Sequence, residues 1–487
     1  MAARLTLLAL LAASVARGES RPGYGGKLVG SLLSQPTTPN APNAPTTIDP
    51  LLAASYAELT LVGLVFDGLY RVDAAGRVVP HLAEAMPTTA GLEARIPLRA
   101  GVRFHDGKPL KPADVVASLQ RAQRAPVTEW ALAPVDRIAA DGQTLVVTLK
   151  RATPELAALL ALPQLVVTPG GRAPARGAVG SGPFVLKRMD AGKVELAAFP
   201  EHFAGRPYLD GLTLRWRENA DAEARAYEAG EADFSLRGAV GFAGHEPKYP
   251  TGALEGPATI LAYLAFGRAH AEVTGDVDFR RAVSLALGRA ALRHLGSGER
   301  VIPALAPASP DLGGPTPGPE ESAARVDAAR AALRRVRAPL PRALELLIDR
   351  TRPDDAEVAA RIVAALDQLG LAVSYTALPP SELQRRVAAG QCDLWLGQLV
   401  APGTDATFEV AAAFAAAADR FATVQMAVGP LAGASLALAF DARLPVVPLY
   451  HRSVRVHYRK IVYGLGFDGL GRLSLADAFV FAGTVTP

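Results

Sequence analysis

The sequence predicts an α/β protein made of more than one folded unit. Half of its 487 residues are apolar, enough for large cores, and 45 glycines and 39 prolines supply many turns. Between Arg325 and Leu399 the apolar residues follow strand and helix periodicities in alternation. At roughly 150 residues per domain, a chain of this length is expected to form about three units.

The first two hundred residues mix strand and helix signals. Strand patterns lie at 27–32, 96–104, 144–149, 165–168, 185–187 and 193–197. A loop rich in Pro, Thr and Asn fills 34–50, and loops of that length are often functional. A helix is expected after Pro112, because proline suits a first helical turn and Val115 and Leu119 then share one face.

The segment 344–399 alternates three strands with two helices. Strands are expected at 344–348, 371–375 and 393–399, and capping pairs at Asp354 with Glu357 and at Ser381 with Gln384. Strands joined by crossover helices form a parallel, doubly wound sheet, whose ligand crevice lies beyond the carboxyl ends of the strands. This places a binding loop at 398–405.

The N-terminus has the pattern of a secretory signal. Arg4 precedes the apolar run Leu5 to Ala16, which ends in small side chains, and cleavage after Ala16 or Gly18 fits. No cysteine follows the run, so a lipid anchor is not expected. We therefore predict export of a soluble mature chain, with residues 1–18 as the signal peptide.

Several classes of site are excluded by the residues themselves. A net charge of +4 without basic runs argues against a nucleic-acid groove. The single Cys392 cannot form a zinc pair, and the eight histidines include no pair spaced for one helix face. Ser181 lacks the glycine of a nucleophile elbow, since Val179 stands there. We expect no catalytic, cofactor or metal site, and no Walker motif is present.

Eight collinear segments carry a family resemblance. They read "LVFDGLYRVDAAGRVVPHLAEAM", "LRAGVRFHDGKPLKPADVVASLQRA", "GSGPFVLKRMDAGKVELAAFPEHFAGRPYLDGLTLRW", "YEAGEADFSL", "LAYLAFG", "DFRRAVSLALGR", "RIVAALDQLGLAVSYTALPPSELQRRVAAGQCDLWLGQ" and "LPVVPLYHRSVRVHYRKIVYGLGF". In this order they resemble the family-5 extracellular solute-binding proteins, the receptors of peptide, nickel and related ATP-driven importers. The resemblance covers nearly the whole mature chain.

The resemblance implies a two-lobed, venus-flytrap, periplasmic-binding-protein fold with three subdomains. Lobe I is then expected at 24–50, 179–263 and 453–487, with an inserted subdomain at 51–178 and lobe II at 264–452. Two strands are expected to cross between the lobes, near 262–266 and near 454–457. Closure of the lobes on a solute would be a hinge motion.

The sequence departs from the family where peptide-binding members hold the ligand. Those members have Gly-Trp, two residues and an Asp that pairs with the α-amino group; here the Trp position is Gln398 and the Asp position is Ala401. Burying a peptide ammonium without a carboxylate partner would cost several kcal/mol, unless Asp405 takes the place of the missing Asp. Gly267 and Gly288 also replace the usual Asn and Asp.

Nine residues are therefore candidates for ligand binding, most of them by analogy with the family. They are Ser34, Gln35, Arg237, Tyr263, Trp395, Gln398, Leu399, Ala401 and Asp405. His451, beside Tyr450, is a further cleft candidate for which a structural role is the simpler interpretation.

The resemblance implies a periplasmic, monomeric receptor that delivers a small or peptide-like solute to the permease and ATPase subunits of an ABC importer. Its ligand is predicted not to be an ordinary free peptide. A degenerate paralogue acting as a ligand sensor or envelope scaffold remains the alternative. A secreted hydrolase is disfavoured, because no nucleophile, base or metal constellation is present.

Overall fold

Two large β-sheets and a smaller one organise the chain in the computed structural model. The structure describes residues 23–32, 48–174, 177–190, 192–216, 220–235, 251–295, 300–350, 352, 354–429 and 433–480. Both sheets carry helices, as the predicted α/β class requires. Within these ranges, none of the helices is both long enough and apolar enough to span a lipid bilayer.

The strands are short. In chain order they are β1 (Lys27–Leu32), β2 (Tyr70–Val72), β3 (Val78–Pro80), β4 (Thr88–Ala90), β5 (Glu93–Pro97), β6 (Val135–Asp141), β7 (Thr144–Leu149), β8 (Phe184–Asp190), β9 (Lys193–Ala198), β10 (Gly211–Trp216), β11 (Phe234–Ser235), β12 (Thr251–Glu255), β13 (Ile260–Phe266), β14 (Val301–Pro303), β15 (Leu344–Asp349), β16 (Val373–Leu378), β17 (Leu394–Val400), β18 (Val446–Arg452), β19 (Arg455–Arg459), β20 (Val462–Tyr463), β21 (Gly466–Phe467), β22 (Leu473–Ser474) and β23 (Phe479–Val480).

The helices cover the faces of the sheets. They are α1 (Tyr56–Val65), α2 (Pro112–Ala122), α3 (Glu129–Leu132), α4 (Leu156–Leu159), α5 (Ala220–Glu228), α6 (Ala271–Thr274), α7 (Val277–Ala286), α8 (Pro319–Ser322), α9 (Val326–Leu333), α10 (Asp355–Asp367), α11 (Pro380–Ala388), α12 (Ala406–Ala416), α13 (Phe421–Val428) and α14 (Gly433–Arg443). Short 3₁₀ helices lie at Pro50–Leu52, Pro169–Gly171, Arg289–His294 and Pro310–Leu312.

The first sheet joins distant parts of the chain in the order β12-β19-β11-β1-β10-β9-β8. Its central strand β1 runs parallel to both β10 and β11. The Phe234 ring lies over Gly30, where an added Cβ would be 2.2 Å from it, so this position has no room for a side chain. The sheet therefore collects the N-terminal strand, the segment after residue 184 and the C-terminal β19.

The second sheet has the order β14-β18-β13-β17-β15-β16. Strand β15 is parallel to β16 and β17, with α10 and α11 as the crossovers, which confirms the parallel arrangement predicted for 344–399. Both predicted capping pairs are wrong. Asp354 makes no capping bond and instead pairs with Arg452, while the second helix starts at Pro380, whose fixed φ suits a first helical position.

The smaller sheet, β4-β5-β7-β6, shares its apolar core with the helices that follow β17. Trp130 of α3 and Phe408 of α12 lie with ring centroids 5.9 Å apart. The region around 51–178 is thus anchored to helices that belong to the second sheet. The domain boundaries expected from the sequence stay predictions.

In the described part of the chain, the large sheets are joined by two crossings, of which the first differs from the expected position and the second lies at the expected one. The first crossing is the non-strand segment 256–259 between β12 and β13, and the second is 453–454 between β18 and β19. The predicted crossing at 262–266 lies inside β13, which is paired on both sides by β17 and β18. Because β13 is hydrogen-bonded on both sides, we expect any hinge motion to take place in the non-strand segment before it.

Of the two unusual glycines, Gly267 has a packing reason. A Cβ at Gly267 would lie 2.1 Å from the Cys392 carbonyl oxygen, so the chain has no room for a side chain there. Beyond Gly288, the buried Arg289 donates to the Pro448 carbonyl at 2.8 Å and to the Ser284 carbonyl at 2.8 Å. Arg289 therefore joins a helix end to β18 without the acidic partner expected from the resemblance.

Candidate functional site

The carboxyl ends of the parallel strands of the first sheet lie beside one of the crossings. Ser235, the last residue of β11, pairs with His457, two residues after β19 begins. Strand β1 ends alongside, because Ser31 pairs with Ser235. Ser31 and Ser235 are both buried, and Ser235 donates to the carboxylate of Glu223.

One edge of the second sheet faces the first sheet. Ile260, at the start of β13, and Val400, at the end of β17, pack in the apolar core of the first sheet with Leu28 and Val456. Since β15 is parallel to β17, its last residue, Asp349, lies toward the same edge. The carboxyl ends of both parallel sets thus meet between the lobes, where open α/β sheets bind ligands.

An arginine lies between two carboxylates at this edge. Arg352 Nε is 3.3 Å from Asp349 Oδ2, and Arg352 Nη1 is 3.6 Å from Asp355 Oδ2. Burial raises the pKa of Asp355 to about 6, against the opposing charge of Arg352. Burial alone would lower the pKa of Arg352, but the two carboxylates raise it, so the guanidinium stays charged.

A second ion pair extends the cluster to the last strand of the sheet. Arg452 Nη1 at the end of β18 lies 3.4 Å from Asp354 Oδ2, and the Arg452 side chain is 7% exposed. Its Nε is buried without a hydrogen-bond partner in the described part of the chain. Burial raises the pKa of Asp354, and Arg452 opposes that shift. The edge therefore holds two cations and three carboxyl groups.

Two tyrosines complete the lining. Tyr263 lies over Gly397, where a Cβ would be 2.3 Å from its ring, and meets Trp395 edge-on with centroids 5.5 Å apart. Burial raises the pKa values of Tyr263 and Tyr450, and the charge of Arg352 opposes both shifts. Neither hydroxyl has a hydrogen-bond partner among the described residues.

The structure brings together part of the predicted site. Tyr263 and Trp395 are in contact, and Gln398 and Leu399 follow on β17, half-buried. Ala401 is 1% exposed, and its N–H donates to the Thr259 carbonyl at 2.8 Å.

Asp405 caps α12, because its carboxylate accepts from the Thr407 N–H at 2.9 Å. Ser34, Gln35 and Arg237 lie outside the described residues. His451 packs in the second sheet, where burial lowers its pKa to about 4.

Sequence reasoning missed the charged cluster. Arg352 and its partners follow β15 in the run "DRTRPDDAE", directly after the apolar strand LELLI. Polar residues at the carboxyl end of a parallel strand are the signal that could have found them. Arg452 and Tyr450 had no such signal, because β18 is antiparallel to β13 and its partners are set by the tertiary fold.

Two α/β lobes, joined by two short crossings and facing each other across a polar edge, define a two-lobed binding protein. The chain belongs to the bacterial extracellular solute-binding proteins, family 5, whose model matches residues 77–419. This confirms the family resemblance drawn from the motifs. Members of this family are binding proteins rather than enzymes.

Solved structures share the whole fold at low sequence identity. The PBP AgaA from A. tumefaciens R10, in complex with agropinic acid, is 19% identical, with a TM-score of 0.76 over 94% of this chain and 99% of that chain. The oligopeptide-binding protein AppA from Bacillus subtilis, in complex with a nonapeptide, is 17% identical, with a TM-score of 0.75 over 95% and 100%. These matches confirm the two-lobed fold.

Curated relatives match over shorter stretches. The nickel-binding protein NikA of Staphylococcus aureus is 25% identical over 171 residues, which cover 34% of this chain and 35% of that protein. The chain spans about a third of the length of the first curated relatives that it matches.

Proposed function

We propose that this protein is the substrate-binding component of an ABC importer and captures a small polar organic solute between its lobes. The observation that carries the proposal is the inter-lobe edge, where Arg352 and two tyrosine hydroxyls lie together. The hydroxyls of Tyr263 and Tyr450 have no partner in the described chain. A solute that bonds to them and also contacts the first lobe would favour the closed state, because only closure brings both sets of contacts together.

Delivery to a membrane importer completes the proposed role. Export to the periplasm is supported by the apolar run Leu5 to Ala16 with its small-residue end. A membrane permease and its ATPase subunits would supply the energy, since the sequence holds no Walker motif. We propose a monomer that hands over its solute after closure.

The proposed ligand is not an ordinary free peptide. The position used for the peptide ammonium is Ala401, which is buried and apolar, and the nearby Asp405 carboxylate is engaged by the Thr407 N–H and hydroxyl. Each of the three carboxyls of the edge already lies 3.3 to 3.6 Å from a guanidinium nitrogen of Arg352 or Arg452. A solute with hydroxyl groups fits this edge better.

The alternative is a degenerate paralogue that acts as a ligand sensor or envelope scaffold. It was motivated by Gly267 and Gly288, and the first is required by the approach of Cys392. Beyond the second, Arg289 is bonded without the acidic partner. Gly267 therefore gives the scaffold alternative no support, while Gly288 is compatible with either role.

A solute panel tests the proposal directly. We expect calorimetric titration of the unliganded chain to find a small polar solute that binds with micromolar affinity or better. Tyr263→Phe keeps the ring over Gly397 and removes only the hydroxyl, so it should weaken that binding about tenfold, the effect of one hydrogen bond.

The matched control is Tyr375→Phe, since Tyr375 lies exposed on β16 and should leave affinity unchanged. Di- to pentapeptides form a separate arm of the panel. Micromolar binding of such peptides that disappears when their amino termini are masked would contradict the proposed ligand class. Equal losses in both tyrosine variants would contradict the proposed site.

A further inference from the structure

A second group of chemically active side chains lies away from the inter-lobe edge. Asp67 follows α1, His81 follows β3 and His202 follows β9, so three separate segments bring them together. Their ligand atoms all lie within 4.8 Å of one another. The side chains of Asp67, His81 and His202 are 3%, 12% and 7% exposed.

The contacts within the group leave one nitrogen unsatisfied. His81 Nε2 is 2.8 Å from Asp67 Oδ1, within hydrogen-bond distance. His202 Nε2 is 3.6 Å from Asp67 Oδ2, too long for a hydrogen bond, and it is buried without a hydrogen-bond partner in the described ranges. A buried polar atom in that position indicates a missing partner.

The other ring nitrogen of His202 fixes its tautomer. Nδ1 lies 3.2 Å from the Gly205 carbonyl, which can only accept, so Nδ1 carries the proton. In the neutral ring, Nε2 then directs a lone pair toward a carboxylate. A lone pair and an anion repel each other unless a cation lies between them. Histidine ligands in metal sites typically donate their other N–H to a carbonyl in this way.

The surroundings support an ionised carboxylate and an open coordination position. Ser181 Oγ donates to Asp67 Oδ2 at 2.9 Å, as in sites where the ligating carboxylate is itself hydrogen-bonded. All three residues line one cavity of about 220 Å³, with room for water as a fourth ligand.

The nearby His105 does not belong to the group. Its Nδ1 accepts from the Gly180 N–H at 3.2 Å and its Nε2 lies 2.9 Å from the Gly182 carbonyl. Both nitrogens are used, so His105 has no lone pair to offer. The phenyl ring of Phe203 packs against both His81 and His202, with centroids 4.9 and 4.7 Å away, and shields one side of the group.

We propose that Asp67, His81 and His202 bind a divalent transition-metal ion, with Zn²⁺ as the best fit, at a site distinct from the inter-lobe edge. Zn²⁺ prefers imidazole nitrogen and carboxylate oxygen at about 2.0–2.2 Å, so neighbouring ligand atoms in a tetrahedron are about 3.4 Å apart. The two contacts to Asp67, at 2.8 and 3.6 Å, bracket that spacing. Spacing along the sequence gave no sign of the site, because its members come from three segments.

The test is metal binding by the full mature chain, purified without a histidine tag and stripped with a chelator. We expect one equivalent of Co²⁺ to give the intense visible bands of a tetrahedral site, and Zn²⁺ to displace it. His202→Gln should weaken Zn²⁺ binding about 100-fold or more, because it removes one of three protein ligands.

The matched control is His270→Gln. His270 also contacts a carboxylate, Asp393, at 2.7 Å, but no second histidine is part of that pair. Zn²⁺ should raise the melting temperature of the wild-type chain and of His270→Gln, and should leave that of His202→Gln unchanged.

Equal Zn²⁺ affinity of the wild-type chain and His202→Gln would overturn the metal site. So would the absence of tetrahedral Co²⁺ bands, since His202 would then be a protonated partner of Asp67. Neither result bears on solute binding at the inter-lobe edge, which the solute panel measures separately.

Discussion

Gly267→Ala is expected to lower the free energy of unfolding by about 3 kcal/mol. The added Cβ would lie 2.1 Å from the Cys392 carbonyl oxygen and 2.7 Å from its sulfur. That carbonyl accepts from the Ala269 N–H, and the Gly267 N–H donates to Asp393 at 2.7 Å, so the two segments cannot separate without losing hydrogen bonds. Overpacking of this kind typically costs about 1–3 kcal/mol.

Chemical denaturation measures this effect, and Gly63→Ala is its control. Gly63 lies in α1, and a Cβ at this position would have no neighbour within 4 Å, so alanine should stabilise the helix by up to about 1 kcal/mol. If the Gly267→Ala variant proves as stable as the Gly63→Ala variant, the second sheet tolerates the added methyl group. The family-atypical glycine would then need another explanation.

Glu409→Gln is expected to remove a large pH dependence of stability. Glu409 of α12 is 1% exposed, and burial raises its pKa to about 8, against one hydrogen bond from the Ser309 N–H at 2.8 Å. Glutamine keeps an acceptor for that N–H and carries no charge. Ser309 also donates to Ala258 in the first crossing, so the group supports the hinge.

The direction of this pH dependence follows from proton binding. With a folded pKa near 8 and an unfolded value near 4.5, the folded chain alone holds this proton between those pH values. Its contribution to stability is full below about pH 4.5 and is lost as the pH rises through 8, at about 1.4 kcal/mol per pH unit.

Denaturation at pH 5 to 8 should therefore show a steeper fall for the wild-type chain than for Glu409→Gln. Glu357→Gln is the control, because Glu357 is exposed on α10 and pairs with Arg361. Parallel stability curves for the wild-type chain and Glu409→Gln would contradict a buried neutral acid.

Much of the fold could be predicted, because its signals are local. The strands and helices of 344–399 repeat with clear periods, and the parallel pairing of β15 with β16 and β17 follows from them. The first predicted helix cap was wrong because Asp354 pairs with Arg452, about a hundred residues away in sequence. The first crossing was misplaced because a strand pattern does not show which bonds lie between two sheets.

The site could be predicted only in part, because most of its residues come together through tertiary contacts and not through a local sequence pattern. Tyr263 and Trp395 lie on strands that the sequence marks, and they are in contact. The cluster of Arg352, Asp349 and Asp355 depends on a short loop after β15 and on its burial, which no periodicity encodes. Asp67, His81 and His202 meet through tertiary structure alone.

Native mass spectrometry of the chain, purified without unfolding and treated with a chelator, tests the central claim most directly. We expect a mass equal to the mature chain plus one small organic molecule, which is released on denaturation and can then be identified. A mass equal to the chain alone, both as purified and after incubation with a small-molecule extract of the producing cells, would contradict solute capture between the lobes.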